Sequence, residues 1–142
     1  MKNVTTDKMK ECILVIQSDS SEQKMLFTAL SGRYGLFFAG GVDQALQINR
    51  SVPHKVVIFD AGCAHPLDLT ELERFKSGNH PDTPIILLAS NNSAAIEMKV
   101  AEIGVFYHLI RPYPVKDLEV LIVAALRYWH RTFGWTTVGD NK

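Results

Sequence analysis

The stretch Lys55-Val56-Val57-Ile58-Phe59-Asp60 decides the fold, because it is a short apolar run that ends in a single carboxylate. A run of this length, rich in β-branched residues, indicates a strand that is buried on both faces, as in a parallel sheet. Asp60 then lies at the carboxyl end of the strand, where open α/β sheets place their functional sites. Asp60 is therefore the leading candidate for a functional residue.

Apolar runs of similar length recur before and after this stretch, and helical patterns separate them. This alternation is typical of repeated strand-helix units, which build a parallel sheet covered by helices on both faces. We predict the other four strands at residues 12–16, 36–39, 85–88 and 105–110.

Five helices are predicted between and after the strands. In the first helix, Ser20 and Gln23 have the spacing of a capping box. Its buried face is expected to consist of apolar residues at helical spacing, namely Met25, Leu26, Ala29 and Leu30. The other helices are predicted at residues 42–49, 67–76, 93–103 and 115–133. His54 and His80 flank strands and are expected to be solvated.

The composition indicates one domain without a strong bias in charge. The chain has 142 residues, with 15 basic and 15 acidic side chains, and this length suffices for one sizeable core. Neither end is basic enough to predict a nucleic-acid partner. No apolar stretch reaches the roughly 18 to 20 residues that a membrane span needs, so we expect a cytoplasmic protein. We divide the chain into an extension at 1–10, a domain at 11–129 and an extended last helix with a tail at 130–142.

The order of the predicted elements, together with particular residues, resembles the receiver domain of two-component response regulators. The resemblance covers residues 11–129 and depends on the order and spacing of its anchors, since no anchor is specific alone. It implies an α/β fold of flavodoxin-like type, a doubly wound five-stranded parallel sheet with strand order 2-1-3-4-5. The anchors are Ile13-Leu14-Val15-Ile16, Val57-Ile58-Phe59-Asp60, Pro84-Ile85-Ile86-Leu87-Leu88-Ala89-Ser90, and Gly104 followed by Leu109-Ile110-Arg111-Pro112-Tyr113.

The resemblance also implies a function. In that family, an aspartate at the position of Asp60 accepts a phosphoryl group from a histidine kinase. The chain would then belong to a phosphorelay, with a kinase or phosphotransfer protein as donor and a protein target bound by contact, and it would not be an enzyme in the usual sense. Phosphoryl transfer to a carboxylate gathers negative charge, so a divalent cation and further donors must stabilise the oxygens.

The expected metal ligands depart from the family pattern. The two positions that ordinarily hold acids carry Gln17 and Ser18, which offer neutral oxygens without charge. Asp19 lies one residue too late, and a helix-terminal role is favoured over a doubtful role as metal ligand. With Asp60 and the backbone of Gly62 as the remaining ligands, we expect only weak binding of Mg²⁺.

The expected phosphate contacts depart as well. Ala89 stands at the Ser or Thr position and has no hydroxyl group, while the side chain of Ser90 should point elsewhere because side chains alternate along a strand. Arg111 replaces the usual Lys and keeps its charge, but a planar guanidinium is not equivalent to an ammonium at a phosphate. Arg111 is expected either to assist the phosphoryl group or to pair with unphosphorylated Asp60. The isomer of the Arg111-Pro112 bond is left open.

Three further features lie outside this acceptor site. The resemblance places His108 at the position of the family's switching aromatic residue on the fifth strand, and with Tyr113 it marks a candidate signalling face. His108 is interpreted as a packing substitute or a rim residue, without a proton-switch role. In the loop after Asp60, Cys63 and His65 are interpreted as ordinary loop residues. With Asp60 they would supply three groups from one loop, and no fourth ligand is indicated, so a metal or nucleophile site is the minority interpretation. The residues from 127 to 135 are rich in aromatic side chains and Arg, which are favoured at interfaces, so we expect either a homodimer or docking on a partner.

Three classes of function remain open from the sequence. The first is a receiver that accepts phosphate poorly at Asp60, and the second is a pseudo-receiver adaptor that binds partners without phosphate. The third is a small-molecule binder that uses the carboxyl ends of the strands, with Gly40-Gly41 near a bound anion, although no glycine-rich nucleotide fingerprint is present.

Overall fold

The computed structural model describes residues 10–52, 54–62, 69–90 and 92–134. In these residues, five parallel strands alternate with five α-helices, and a π-helix follows at His130–Gly134. The strands are β1 (Glu11–Ile16), β2 (Tyr34–Ala39), β3 (Val56–Asp60), β4 (Ile85–Ala89) and β5 (Tyr107–Ile110). The helices are α1 (Ser20–Leu30), α2 (Val42–Ser51), α3 (Thr70–Gly78), α4 (Ala94–Ile103) and α5 (Val115–Trp129).

The strand order in the sheet is β2-β1-β3-β4-β5, which confirms the predicted doubly wound fold. All four neighbouring pairs of strands are parallel. The carboxyl ends of the strands therefore meet at one edge of the sheet. Asp60 lies at this edge, paired in register with Leu88 of β4.

Two apolar layers enclose the sheet, because side chains alternate between its faces. One layer joins Ile13 and Ile58 to α1 and α5. The other joins Leu14 and Val57 to α2, α3 and α4. Full burial of one large aliphatic side chain contributes about 1.5–3 kcal/mol, so the central strands fix the position of the sheet edge firmly.

The N-cap of the first helix is not the residue of the predicted capping box, but it agrees with the helix-terminal role favoured for Asp19. Asp19, not Ser20, is the N-cap, and its carboxylate accepts a hydrogen bond from the backbone N–H of Glu22 at 2.9 Å. Leu26 and Leu30 are buried as expected, but Met25 is 39% exposed. Met25 lies one helical step of about 100° away from Leu26, so it falls on the flank of the helix.

The end of the last helix also differs from the prediction. The α-helix ends at Trp129 and continues to Gly134 as a π-helix. Here the helix end packs against residues that precede or begin the strands. The two groups together form the amino-edge cluster, which consists of Glu11, Lys55, His80, Trp129, His130 and Phe133. Lys55 Nζ lies 2.6 Å from Glu11 Oε1 and 4.7 Å from the centre of the Trp129 ring, and the His80 and Phe133 rings lie 4.9 Å apart.

The amino-edge cluster bears on the predicted homodimer. The aromatic side chains that suggested an interface contact other parts of the same chain, as Trp129 contacts Lys55 and Phe133 contacts His80. Trp135, which belongs to the same sequence pattern, lies outside the described residues, as do Cys63 and His65.

His54 is buried, so the expectation that it is solvated was wrong. Its Nδ1 atom lies 3.0 Å from Asn49 Oδ1, and its ring packs edge-on against Phe37 with the ring centres 5.5 Å apart. Asn49 also donates a hydrogen bond to Asn79, which follows α3. Burial lowers the pKa of His54 to about 4, so the imidazole is neutral at physiological pH.

Candidate functional site

The carboxylate of Asp60 is almost completely buried, with its side chain only 2% exposed. Its Oδ1 atom accepts a hydrogen bond from the backbone N–H of Gly62 at 2.7 Å. Its Oδ2 atom accepts hydrogen bonds from Gln17 Nε2 and Arg111 Nη2. Both oxygens of the buried carboxylate are therefore bound by donors of the chain itself, which offsets the cost of burying the charge.

Gln17 is held in the orientation that points its amide nitrogen at Asp60. The side-chain Oε1 accepts a hydrogen bond from the backbone N–H of Asp19 at 2.9 Å, and the backbone N–H of Gln17 donates to Ala39 O at 2.9 Å. Because the amide oxygen is already used by a donor, the NH₂ group must face the carboxylate. This position supplies a hydrogen-bond donor to Asp60 where the family pattern has an acid.

Arg111 reaches Asp60 from the loop after β5. Its backbone N–H donates to Ala89 O at 2.8 Å, and its peptide bond to Pro112 is cis. Besides Asp60, Nη2 contacts Glu22 Oε1 at 3.4 Å. Of the two roles expected for Arg111, the pairing with unphosphorylated Asp60 is confirmed.

The electrostatics of Arg111 follow from these contacts. Burial lowers the pKa of Arg111, but the hydrogen bond to Asp60 and the negative charges of Asp60 and Glu22 raise it, and the net shift is upward. The guanidinium therefore stays charged over the whole physiological range. Its Nη1 atom is buried and has no partner among the described residues.

The other predicted site residues have different positions. The side chain of Ser18 is exposed, and Asp19 is used as the cap of α1. Ala89 is fully buried, and the backbone N–H of Ser90 donates to Gly62 O at 3.3 Å. The structure therefore brings Gln17, Gly62 and Arg111 onto Asp60, whereas Asp19 and Ser18 make no described contact with it.

Glu22 is a member of this site that the sequence did not suggest. It lies in the first turn of α1, where an acidic residue is ordinarily explained by the helix dipole. A usable signal existed, because the first turn of α1 follows the carboxyl end of β1 and so lies at the edge of the sheet that carries Asp60. The side chain of Glu22 is 36% exposed.

The residues present do not fit a magnesium ion. Mg²⁺ needs oxygen ligands in near-octahedral geometry, with carboxylates among them, but Gln17 and Ser18 carry no charge. Gln17 also turns its NH₂ group toward Asp60, and the Asp60 carboxylate is already paired with Arg111. Across the part of the chain that the structure describes, no group of three or more His, Cys, Asp or Glu side chains is arranged to hold a metal. The carboxylate of Asp60, in these surroundings, suits a guanidinium better than a divalent ion.

The predicted signalling residues lie in two different environments. His108 lines a surface groove between α4 and β5 together with Tyr107 and Glu97. Burial lowers the pKa of His108, while the charge of Glu97 partly opposes that shift. Tyr113 packs against the apolar layer of α1 and α5, and burial raises its pKa. His108 therefore borders a surface groove, whereas Tyr113 is partly buried against the apolar layer of α1 and α5.

No protein-family model matches the chain. Comparison with curated proteins finds transcriptional regulators. Transcriptional regulatory protein PmrA of Pectobacterium parmentieri is 24% identical over 116 residues, which make up 81% of this chain and 52% of that protein. The probable transcriptional regulator ycf27 of Porphyridium aerugineum is 28% identical over 123 residues, or 83% of this chain and 49% of that protein. This chain thus spans about half the length of the curated relatives it matches.

Solved structures agree with the fold. The signal receiver domain of an HD domain-containing protein from Pseudomonas fluorescens Pf-5 has a TM-score of 0.75 and 27% identity, covering 87% of this chain and 99% of that one. A two-component response regulator from Clostridium difficile has a TM-score of 0.71 and 18% identity, covering 83% of this chain and 97% of that one. The chemotaxis protein CheY4 of Vibrio cholerae has the same TM-score and identity, covering 83% of this chain and all of that one.

Proposed function

We propose that this chain, which carries a receiver domain of the two-component response-regulator type, signals by protein contact and accepts a phosphoryl group at Asp60 only slowly. The observation that carries this proposal is the ion pair between Asp60 and Arg111. The carboxylate that would attack the phosphodonor is already neutralised by a cation of the same chain.

The energetics support slow acceptance. Hydrogen bonds to charged groups contribute about 1.5–3 kcal/mol each, and each 1.36 kcal/mol in a barrier changes a rate tenfold. Asp60 Oδ2 must lose one of its two side-chain donors, Gln17 or Arg111, before it can attack, and this requirement slows the reaction roughly ten- to a hundredfold. The absence of a hydroxyl at Ala89 removes one further contact that the resemblance assigns to the phosphoryl oxygens.

The same ion pair favours the adaptor alternative, in which partner binding is independent of phosphate. The charge that holds Arg111 in place comes from unmodified Asp60, with Glu22 beside it, so the conformation of this edge needs no phosphoryl group. In both versions we propose that the partners are a histidine kinase or phosphotransfer protein and a protein target, and that the domain turns over no external substrate.

The test is intact mass spectrometry after incubation with Mg²⁺ and acetyl phosphate, beside a receiver of known competence. We expect the wild type to be labelled at least tenfold more slowly than that receiver, and Asp60→Asn not at all. Arg111→Lys restores a compact ammonium and should raise the labelling rate. Complete labelling of the wild type at the rate of the competent receiver would refute the proposal.

Partner binding without phosphate distinguishes the adaptor from the slow phosphoacceptor. A pull-down with Asp60→Asn that recovers the same proteins as the wild type supports the adaptor, and loss of those proteins supports the phosphoacceptor. A homodimer remains a separate proposal, for which the exposed apolar side chains of Met98, Tyr107 and Val120 offer contact area. A monomeric mass by light scattering at high concentration would exclude it.

A further inference from the structure

Two carboxylates share one nitrogen of Arg111. Nη2 forms a hydrogen bond with Asp60 Oδ2 and lies 3.4 Å from Glu22 Oε1. Asp60 comes from the end of β3 and Glu22 from the first turn of α1, so the guanidinium joins two elements of the sheet edge. A positive charge between two acids is the arrangement that a bound divalent cation would produce.

The position of Glu22 is fixed by the local structure. Its backbone N–H is bound by the carboxylate of the N-cap, Asp19, at 2.9 Å. The cap fixes the backbone of the first turn of α1, and Gln23 Nε2 joins this turn to the end of β1 by donating to Gln17 O at 2.6 Å. The dipole of the helix favours a negative side chain there. The carboxylate of Glu22 remains 36% exposed, whereas Arg111 is 22% exposed. Glu22 therefore approaches the guanidinium from the solvent side, and Asp60 from the buried side.

We propose that Glu22 is a positioning residue that holds Arg111 on Asp60, and that this triad of Asp60, Arg111 and Glu22 takes the place of a divalent ion. The inference deepens the proposed function. It rests on that function in one respect, namely that Asp60 is a phosphoacceptor whose charge is neutralised by Arg111 of the same chain. It explains why a chain without acids at positions 17 and 18 retains a buried aspartate. It also implies that Arg111 and a metal compete for the same two carboxylates.

The competition can be measured with Mn²⁺ alone, by the electron paramagnetic resonance signal of the free ion. We expect weak binding by the full wild-type chain. Arg111→Gln removes the guanidinium and leaves Asp60 and Glu22 facing one vacant position, so affinity should rise at least tenfold. Adding Glu22→Gln to that variant should reverse the rise. The matched control adds Glu102→Gln instead, at the far end of α4, and should leave the gain intact.

Equal Mn²⁺ affinity of Arg111→Gln with and without Glu22→Gln would overturn the inference, as would no gain for Arg111→Gln as a folded protein. If Arg111→Gln does not fold, Glu22→Gln alone provides the test. Its readout is the exchange rate of the Arg111 guanidinium protons by nuclear magnetic resonance, which should rise several-fold while the melting temperature changes little. An unchanged exchange rate would refute a positioning role.

These outcomes are independent of the phosphorylation test. Rapid labelling of the wild type by acetyl phosphate, with Mn²⁺ affinities as expected, would refute the proposed slow acceptance and leave the triad in place. Slow labelling, with no effect of Glu22→Gln on Mn²⁺ affinity or on guanidinium exchange, would support slow acceptance and refute the triad. The two failures are therefore distinguishable.

Discussion

The residues around Asp60 set its chemistry through their polarity. Gln17 donates a hydrogen bond where the resemblance leads one to expect a carboxylate, and Arg111 adds a full positive charge. With an acid in place of Gln17, two carboxylates would meet in a buried setting and repel each other without a metal. The amide removes the repulsion and, with it, much of the attraction for a metal ion.

Gln17→Asp tests this interpretation. We expect the variant to be about 1–3 kcal/mol less stable than the wild type without metal, because a donor to buried Asp60 is replaced by a like charge. Mg²⁺ should restore part of the loss. The measurement is thermal unfolding with and without Mg²⁺, and Ser18→Asp is the matched control because Ser18 is exposed. A stability of Gln17→Asp that does not respond to Mg²⁺ would count against the interpretation.

At the scale of single residues, the sequence predicted part of the site. The placement of Asp60 follows from apolar strands that end at a common edge, and its pairing with Arg111 was one of the two roles expected from the resemblance. Glu22 was missed because an acid in the first turn of a helix has an ordinary local explanation. The orientation of Gln17 was not predictable either, since it depends on a hydrogen bond with the backbone of Asp19.

At the scale of elements, the start of α1 links stability to the site. Asp19 caps the helix and thereby fixes the turn that carries Glu22. We predict that Asp19→Ala lowers the free energy of unfolding by about 1 kcal/mol, the usual effect of losing an N-cap. Ser20→Ala should change it by less than half as much, since Ser20 is the first residue inside the helix. Urea unfolding measures both, and equal losses would contradict the assignment of the cap.

The strands were predicted better than the ends of the helices. Apolar runs such as Val56–Asp60 identify strands because burial on both faces leaves few alternatives. The ends depend on tertiary contacts that no local pattern contains. The π-helix at His130–Gly134, for example, coincides with contacts of Phe133 with His80 and of His130 with Glu11.

At the scale of the whole molecule, His54 makes stability depend on pH. It connects β2, α2 and the end of α3 through Phe37, Asn49 and Asn79. Burial lowers its pKa to about 4 from an ordinary value of 6.5. A lowered pKa means that the unfolded chain binds the proton more readily, so the stabilisation is complete above about pH 6.5 and is lost as the pH falls toward 4.

We therefore predict that the wild type loses up to about 3 kcal/mol more than His54→Gln between neutral pH and about pH 4, since one pKa unit corresponds to about 1.4 kcal/mol. The measurement is urea unfolding of both proteins across that range, and the difference between them removes the contribution of other groups. His80→Gln is the matched control outside the buried network. Parallel curves for wild type and His54→Gln would refute the assignment.

The overall architecture was accessible from the sequence, because alternating elements predicted a parallel sheet covered by helices and the resemblance to receiver domains implied its strand order. In the part of the chain that the structure describes, no helix is long and apolar enough to cross a bilayer. The contacts of Trp129 and Phe133 within the chain could not be predicted from the sequence. An aromatic cluster in a terminal helix has the same composition whether it contacts a partner or its own chain.

The separation of Glu22 and Arg111 by 89 positions along the chain has a consequence for synthesis. A nascent chain that has left the ribosome as far as β3 presents Asp60 without its guanidinium, because Arg111 is made 51 residues later. The ion pair between Asp60 and Arg111 can therefore form only after β5 has been released. The order of translation thus places the neutralisation of Asp60 by Arg111 among the last steps in completing this edge of the sheet.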